Sequence, residues 1–520
     1  MGVTIGTDED GLPLLAFPVP FNASELFSHR RLGGDQGRRP AILARDRVVT
    51  YDQLAGQVTR FGEALLELGL SPGDRVVMVL PDCPEFVFLF LGAIRAGILP
   101  VPVSTLLRAD DYAHIIGDSQ CAAIVYAPEF ADAVSAAIGQ SSWRPRAVGI
   151  AELADTAQSR PGRLAPYPSR AENDCFLLYS SGTTGKPKGV VLAHRCLPVI
   201  SHLFSEHMIG KGADNVIYSL PRLFTSFGLG IAMAIPLWLG AAVVLDPGRP
   251  TPEAVAALFR RFRPTIFAAV PTFYSQLVAS GELHREDTAS LRFCLSGGEA
   301  MPVELMRRWI ALTGVTVREI IGSTEAGFVY IGNRQDDIRP GTTGKPIPGF
   351  QIRILDGELQ PQPVGVPGRL FVKGQSVMTR YWNNLAKTAE TLVDGWLDSG
   401  DVYARDAEGY YTYCGRGDDM LKVGGRWVSP FEIESALVEH PKVLEAAVVG
   451  RPGPDGLMGA EAWVVLRDAS DACEATAAEI REYCKNRLAP FKRPRVVWII
   501  DELPKTATGK VQRFKLRNLQ

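Results

Sequence analysis

Residues 180–189 read Ser-Ser-Gly-Thr-Thr-Gly-Lys-Pro-Lys-Gly, a run of hydroxyls, glycines and two lysines between the apolar stretches 175–179 and 190–193. Glycines let backbone N–H groups turn toward an anion, hydroxyls add donors, and lysine adds a point charge. That chemistry suits a loop holding a polyphosphate. The spacing is not that of a Walker loop, which requires Gly-x-x-x-x-Gly-Lys followed by Ser or Thr. Ser180 stands where the first glycine belongs, and Pro187 follows Lys186.

Further polar motifs recur downstream. They are Ser296-Gly297-Gly298-Glu299-Ala300, Ile321-Gly322-Ser323-Thr324-Glu325 after an apolar run, Trp396-Leu397-Asp398-Ser399-Gly400-Asp401, Gly415-Arg416-Gly417-Asp418-Asp419-Met420-Leu421-Lys422, and 503–513, which ends Thr508-Gly509-Lys510-Val511-Gln512-Arg513. The hexapeptide Gly-Thr-Thr-Gly-Lys-Pro stands at 182–187 and again at 341–346, in unlike surroundings, so it reads as two separate turns.

Elements must bring these motifs together. Thr50 with Gln53 has the form of a capping box, and Leu54, Val58, Phe61 and Leu65 follow at helical spacing, with Gly69 as a stop. Strands are expected at 75–80, 99–103, 122–126, 242–245, 265–270, 292–295 and 315–321, with helical patterns between several of them. Such alternation argues for α/β layers over largely buried sheets. From about 341 the texture turns to short alternating runs (351–355, 369–373), a β-rich unit reaching 416. Beyond it the pattern is α+β: helices at 431–438 and 475–487, strands at 446–449 and 462–466. We therefore expect a large N-terminal domain at 1–416, a small mobile C-terminal domain at 419–520, and a hinge near Asp418.

The chain has 520 residues, too many for one core at roughly 150 residues per domain. At 46% hydrophobic and 22% charged it reads as a globular enzyme, and a net charge of −2 gives no overall field toward nucleic acid or an anionic membrane. Eight cysteines without a C-x-x-C pair fit buried free thiols in a reducing cytoplasm. The first residues lack the basic-then-apolar order of a secretory signal. Residues 227–245 are uncharged, but Pro236, three glycines and a β-branched end favour a buried helix followed by a strand over a membrane span.

The ordered set of motifs resembles the acyl-adenylate-forming superfamily of acyl-CoA synthetases, adenylation domains and luciferases, and within it most closely the benzoate-CoA ligase group. The likeness to that group is carried by 105–112, 223–230, 409–422, 428–432 and 491–516. It implies a reaction in two halves. A carboxylate attacks the α-phosphate of ATP to give acyl-AMP and pyrophosphate, and a thiol, usually that of coenzyme A, then displaces AMP. Ser180, Ser181, Gly182, Thr183, Thr184, Gly185 and Lys188 would hold phosphates, with Lys186 a solvated neighbour. Glu325 would be the Mg²⁺ ligand, beside Ser323 and Thr324. Gly298, Glu299 and Ala300 would lie along the adenine, and Asp401 and Arg416 at the ribose. Lys510 would meet the carboxylate and α-phosphate, while Lys422 on the loop with Gly424 and Gly425 would serve the thiol tunnel after rotation at Asp418.

By the same resemblance Ser226, Phe227, Gly228, Gly322, Phe328 and Val329 line the acid pocket, a flat slot for an aromatic ring. Phe328 departs from the group, which usually carries His there in a Leu-His pair; this chain has Gly327-Phe328. That leaves benzoate in play and admits a related aryl acid. The acceptor is coenzyme A or the phosphopantetheine arm of a carrier protein, with Lys492, Arg493 and Arg495 as cations for a coenzyme A phosphate. A hydrolase or kinase would instead release ADP, and a non-catalytic binder would have no need of Lys188, Glu325, Asp401, Arg416 and Lys510 together. No nucleic-acid or membrane partner is expected, and the protein is expected to be a monomer or homodimer.

Overall fold

The computed structural model describes residues 2–180, 186–210, 212–417, 419–423, 426–453, 458–505 and 511–518, with backbone alone for Lys422, Arg426 and Trp427. Local signals are realised where the sequence is most patterned. The Thr50 hydroxyl accepts from the Gln53 N–H and the Gln53 side chain accepts from the Thr50 N–H, opening the helix Tyr51–Glu67. Its stripe of Leu54, Val58, Phe61 and Leu65 is buried. That stripe packs on the helix Pro84–Arg95, which is apolar nearly all round and buried accordingly.

Two parallel arrangements dominate the first 330 residues. Leu99–Pro102, Arg75–Val79, Ala123–Tyr126 and Arg146–Gly149 form one sheet, in that order. The larger sheet runs Lys345–Pro346, Val329–Gly332, Val317–Gly322, Phe293–Ser296, Ile266–Ala269, Val216–Ser219, Ala242–Val244, Pro40–Leu43, Val48–Thr50. Its six middle strands, from Val317–Gly322 to Pro40–Leu43, are parallel and its edges antiparallel. Several of these middle strands read as uninterrupted apolar runs because both faces are covered.

Residues 227–245 fold as a buried helix and then a strand. The helix is broken into Ser226–Leu229, a π turn Gly230–Ala234 and Ile235–Leu239, before the strand Ala242–Val244. Pro236 has no N–H to give to an i−4 carbonyl, and wide turns relieve such a missing bond. No described helix is long and apolar enough to cross a membrane.

A hairpin of Asp174–Ser180 and Lys188–Ala193 is joined at its edge by Arg380–Tyr381 and meets Leu99–Pro102 of the smaller sheet. That unit is antiparallel: Phe350–Leu355, Gly368–Gly374, Trp396–Arg405, Leu392–Val393 and Tyr411–Arg416. Past it, Val443–Pro452 and Met458–Leu466 pair antiparallel, and Val496–Ile499 adds parallel to the second. The strands expected at 446–449 and 462–466 are thus the middle of the first strand and the end of the second in a longer antiparallel pair. Helices Pro430–Val438 and Glu474–Lys485 cover it around Ile433, Leu437, Val448, Val464, Ile480 and Cys484.

Candidate active site

Four neighbouring parallel strands end on one edge of the large sheet. Val317–Gly322 runs into Ser323-Thr324-Glu325, Phe293–Ser296 into Gly297-Gly298-Glu299-Ala300, Ile266–Ala269 into the helix Pro271–Ser280, and Val216–Ser219 into 220–229. Ligands of open α/β sheets bind in the crevice outside the carboxyl ends of the strands, where loops diverge. The topology alone therefore collects the motifs at 226–228, 296–300 and 321–325.

Glu325 is half-buried and its Oε1 accepts from two hydroxyls, Ser180 Oγ at 3.2 Å and Tyr381 Oη at 2.9 Å. Its carbonyl accepts from the Met378 N–H at 2.7 Å, and the Ser376 hydroxyl donates to the Ala326 carbonyl at 2.8 Å, so 323–327 is strapped to 376–381. Burial and the adjacent Glu325 carboxylate push the Tyr381 phenol up, which keeps it a donor. Among the described residues no three His, Cys, Asp or Glu cluster as a metal cage. A lone carboxylate facing a phosphate loop suits Mg²⁺, which takes one or two carboxylates and fills its remaining positions with phosphate oxygens and water.

Ser180 and Lys188 are opposite one another at the loop end of their hairpin. Both ends of the phosphate loop are thereby fixed; Ser181, Gly182, Thr183, Thr184 and Gly185 lie outside the described residues. His114 Nε2 stands 3.0 Å from the Pro187 carbonyl oxygen and, as the only possible donor of the two, carries the proton. Lys188 is half-buried with Nζ 6.0 Å from the centre of the Tyr381 ring. Burial and then Lys387 lower its pKa, and Glu325 opposes them. Lys186 is exposed.

Asp401 and Arg416 are cross-strand neighbours. Arg416 Nη1 donates to Asp401 Oδ1 and to the Ser399 carbonyl, each at 3.0 Å, and Asp401 is buried. Of the residues expected along the adenine, Glu299 accepts through Oε2 from the Thr272 hydroxyl at 3.1 Å, while Gly298 is exposed and Ala300 half-buried.

The residues expected to line an acid pocket also gather. Ser226 Oγ lies 3.3 Å from Thr324 Oγ1, and Phe227 Cε1 would stand 3.3 Å from a Cβ at Gly297. Thr225 caps the short helix by accepting from the Gly228 N–H, and buried Asp82 accepts from the Leu223 N–H at 3.1 Å. Gly228 and Gly322 are demanded by backbone: a Cβ there would meet the Arg222 carbonyl oxygen at 1.9 Å and the Phe328 carbonyl oxygen at 2.2 Å. Val329 is buried at the start of its strand.

Phe328 is only 1% exposed, edge-on to Phe204 at 5.0 Å between ring centres and 6.3 Å from Phe227. Its ring occupies the space in front of Gly230, where a Cβ would fall 2.3 Å from Phe328 Cε2. Because Phe204 backs the ring, it cannot swing away freely. Gly230→Ala is expected to cost about 1–3 kcal/mol by overpacking, and most of that should vanish in a Phe328→Leu background. A double-mutant cycle on urea midpoints checks it; equal costs in both backgrounds would show that the two positions are not coupled.

Lys422 lies on the strand Leu421–Val423, which pairs with Arg426–Val428. Gly424, Gly425, Asp418 and Lys510 lie outside the described residues. The residues flanking the Lys510 segment, Lys505 and Val511, form an antiparallel bridge, and Lys505 Nζ pairs with Glu445 at 2.7 Å. Lys492 pairs with Glu432 at 2.6 Å, Arg493 donates to the Leu488 and Lys485 carbonyls, and the Arg495 side chain crosses close to Gly459. Sequence reasoning missed Tyr381, Thr272 and Asp82, which sit in no motif. A Tyr-Trp pair after Arg380 was the one local hint at an aromatic strand edge.

Residues 30–382 match the family described as AMP-binding enzyme, and residues 432–510 match the AMP-binding enzyme C-terminal domain. The chain is 40% identical over 513 residues to a benzoate–CoA ligase of Thauera aromatica, covering 97% of each. It is 37% identical to a 4-hydroxybenzoate–CoA/benzoate–CoA ligase of Rhodopseudomonas palustris, over 96% of this chain and 94% of that one. Among solved structures, the anthranilate CoA ligase AuaEII in complex with anthranoyl-AMP superposes with a TM-score of 0.93 at 36% identity, over 96% of this chain and 98% of that chain.

Proposed function

The chain belongs to the AMP-binding enzyme family, the acyl-adenylate-forming superfamily, and from that premise we propose that it is an acid–thiol ligase that activates benzoate or a close aryl relative as acyl-AMP and passes it to coenzyme A. One observation carries the reading: the loop 323–327 touches Ser180 of the phosphate hairpin through Glu325 and Ser226 of the acid pocket through Thr324. A carboxylate seated by Ser226 and Phe227 thus lies one loop away from the triphosphate.

The demand of the first half-reaction is charge, because carboxylate and triphosphate repel. Ser180 and Lys188 hold the phosphates that leave. Glu325 would hold Mg²⁺, which when bound would supply positive charge to the phosphate oxygens. Asp401 accepts from the ribose hydroxyls and Arg416 fixes its orientation, while 297–300 lies along the adenine. Prepositioned charges of this kind lower the barrier without reorganising during the reaction. In the second half residues 419–520 turn about Asp418, replacing the Lys510 segment with Lys422, Gly424 and Gly425 along the path of the thiol. Phe328 narrows the far side of the slot with an apolar ring and selects a flat aryl acid. All eight cysteines are free and most are buried, which fits a working place in the reducing cytoplasm.

The test is a panel of benzoate, the hydroxybenzoates and anthranilate in ATP–pyrophosphate exchange, followed by coenzyme A and a holo carrier protein as acceptors. AMP, pyrophosphate and an aryl-CoA are the expected products. Release of ADP, or exchange with no acid, would refute the reading.

A further inference from the structure

The second Gly-Thr-Thr-Gly-Lys-Pro, at 341–346, binds no phosphate in the account above, yet its Thr343 reaches a buried carboxyl behind the nucleotide site. The Thr343 hydroxyl lies 3.5 Å from Glu319 Oε1 and 3.2 Å from the Tyr403 hydroxyl. Glu319 is 4% exposed, on the strand that ends at Gly322, and lies opposite Ser296, which leads into the 297–301 loop. Tyr403 stands two residues beyond Asp401 on the same strand. Thr343 itself is 1% exposed, and its N–H donates to the Tyr411 carbonyl on the neighbouring strand at 2.9 Å.

We propose that Glu319 is a positioning residue for ATP: it stands opposite Ser296, whose strand runs into the adenine-side loop, and its carboxyl reaches the ribose-side strand through Thr343 and Tyr403. The inference rests on the nucleotide-site reading given under Proposed function. A buried carboxyl left unpaired is costly, so Thr343 and, behind it, Tyr403 are held with Glu319 or lost with it. The titratable group facing it is Tyr403 on Trp396–Arg405, which itself lies beside Asp401 on the same strand and Tyr330 on Val329–Gly332. Ser296, Met301 and Thr343 bring no charge. The adjacent Arg318 donates to the Met208 carbonyl and stacks over Phe293 at 3.7 Å. Burial, only partly offset by the Met301 N–H and Thr343, pushes the Glu319 carboxyl up to about 8.

The sign follows. Between the ordinary carboxylate pKa of 4.5 and about 8, the folded chain keeps a proton that the unfolded chain has released. Stability therefore declines as pH rises through that window and levels off above it. Above pH 8 Glu319 ionises while buried beside Tyr403, and the desolvation cost of that charge is relieved by opening the packing between the two sides of the site.

Glu319→Gln keeps the neutral hydrogen-bonding shape and cannot ionise. KM for ATP in pyrophosphate exchange, followed from pH 6.5 to 9.5, is expected to rise about tenfold above pH 8 in the parent and to stay flat in Glu319→Gln, with KM for the acid parallel in both. Glu319→Gln should also gain on the parent in melting temperature by a few degrees between pH 5 and pH 8. Thr343→Val, which cuts the link while leaving the carboxyl, should raise KM for ATP several-fold at pH 7 without changing KM for the acid. Coincident pH profiles for parent and Glu319→Gln, or a Thr343→Val defect shared equally by acid and ATP, would overturn the assignment. Parent enzyme that releases no AMP with any aryl acid would instead overturn the functional reading beneath it.

Discussion

Lys510→Ala is expected to cut acyl-adenylate formation by about a thousandfold while leaving turnover of preformed aryl-AMP with coenzyme A within a few-fold of the parent. One positive charge ~4 Å from the reacting oxygens, at an effective dielectric of ~20, is worth ~4 kcal/mol before desolvation costs. At ~1.4 kcal/mol per factor of ten, that is about three orders of magnitude. The charge matters only while a carboxylate approaches the α-phosphate. In the thiol step the repelling partner is gone, so the same lysine has little to offset. The fold should tolerate the change, because the chain on either side is held by the Lys505–Val511 bridge, the Lys505–Glu445 ion pair, and buried Leu503 and Leu516. The measurement is pyrophosphate exchange alongside single-turnover thiolysis of synthetic aryl-AMP. A mutant that adenylates at the parent rate, or that loses both halves equally, would remove Lys510 from the first step.

What the sequence discloses of this site depends on how far apart its partners are. The helix Tyr51–Glu67 is written out locally, with its cap at Thr50 and a buried stripe, and the strand-to-loop junctions at 296–300 and 321–325 carry their own glycines. Parallel strands announce themselves as apolar runs, because both faces are buried. The hydrogen bond from Tyr381 to Glu325 spans 56 residues and that from Thr343 to Glu319 spans 24. Neither leaves a periodic trace, since one side chain touching another across an edge imposes no pattern on its neighbours. Phe328 is instructive in another way. Its type was visible as a departure, but the reason it fits is an absent side chain at Gly230, on a different element. The extent of Val443–Pro452 was underestimated because Glu445, Gly450 and Arg451 interrupt its apolar run at positions the hairpin leaves half-exposed.

Glu325→Gln separates the charge of this residue from its shape. The amide oxygen can still accept from Ser180 Oγ and Tyr381 Oη, which lie 3.2 and 2.9 Å from Oε1, and the backbone strap to Met378 is untouched. Stability should therefore change little, while the negative charge offered to Mg²⁺ is lost. We expect adenylation to fall about 100-fold, ~2.7 kcal/mol of transition-state stabilisation, and the apparent Mg²⁺ requirement to rise so that added Mg²⁺ restores part of the rate. Tyr381→Phe is the matching control. It removes one neutral donor to a charged acceptor, a loss of ~1.5–3 kcal/mol at most, and keeps the carboxylate, so its rate should respond to Mg²⁺ as the parent does. If Glu325→Gln shows the parental Mg²⁺ dependence and only a uniform drop in rate, Glu325 acts by holding Ser180 and Tyr381 in place. Its effect would then be reproduced by the double substitution of those two hydroxyls. The two outcomes differ in the slope of rate against Mg²⁺, which a fall in folded protein cannot imitate.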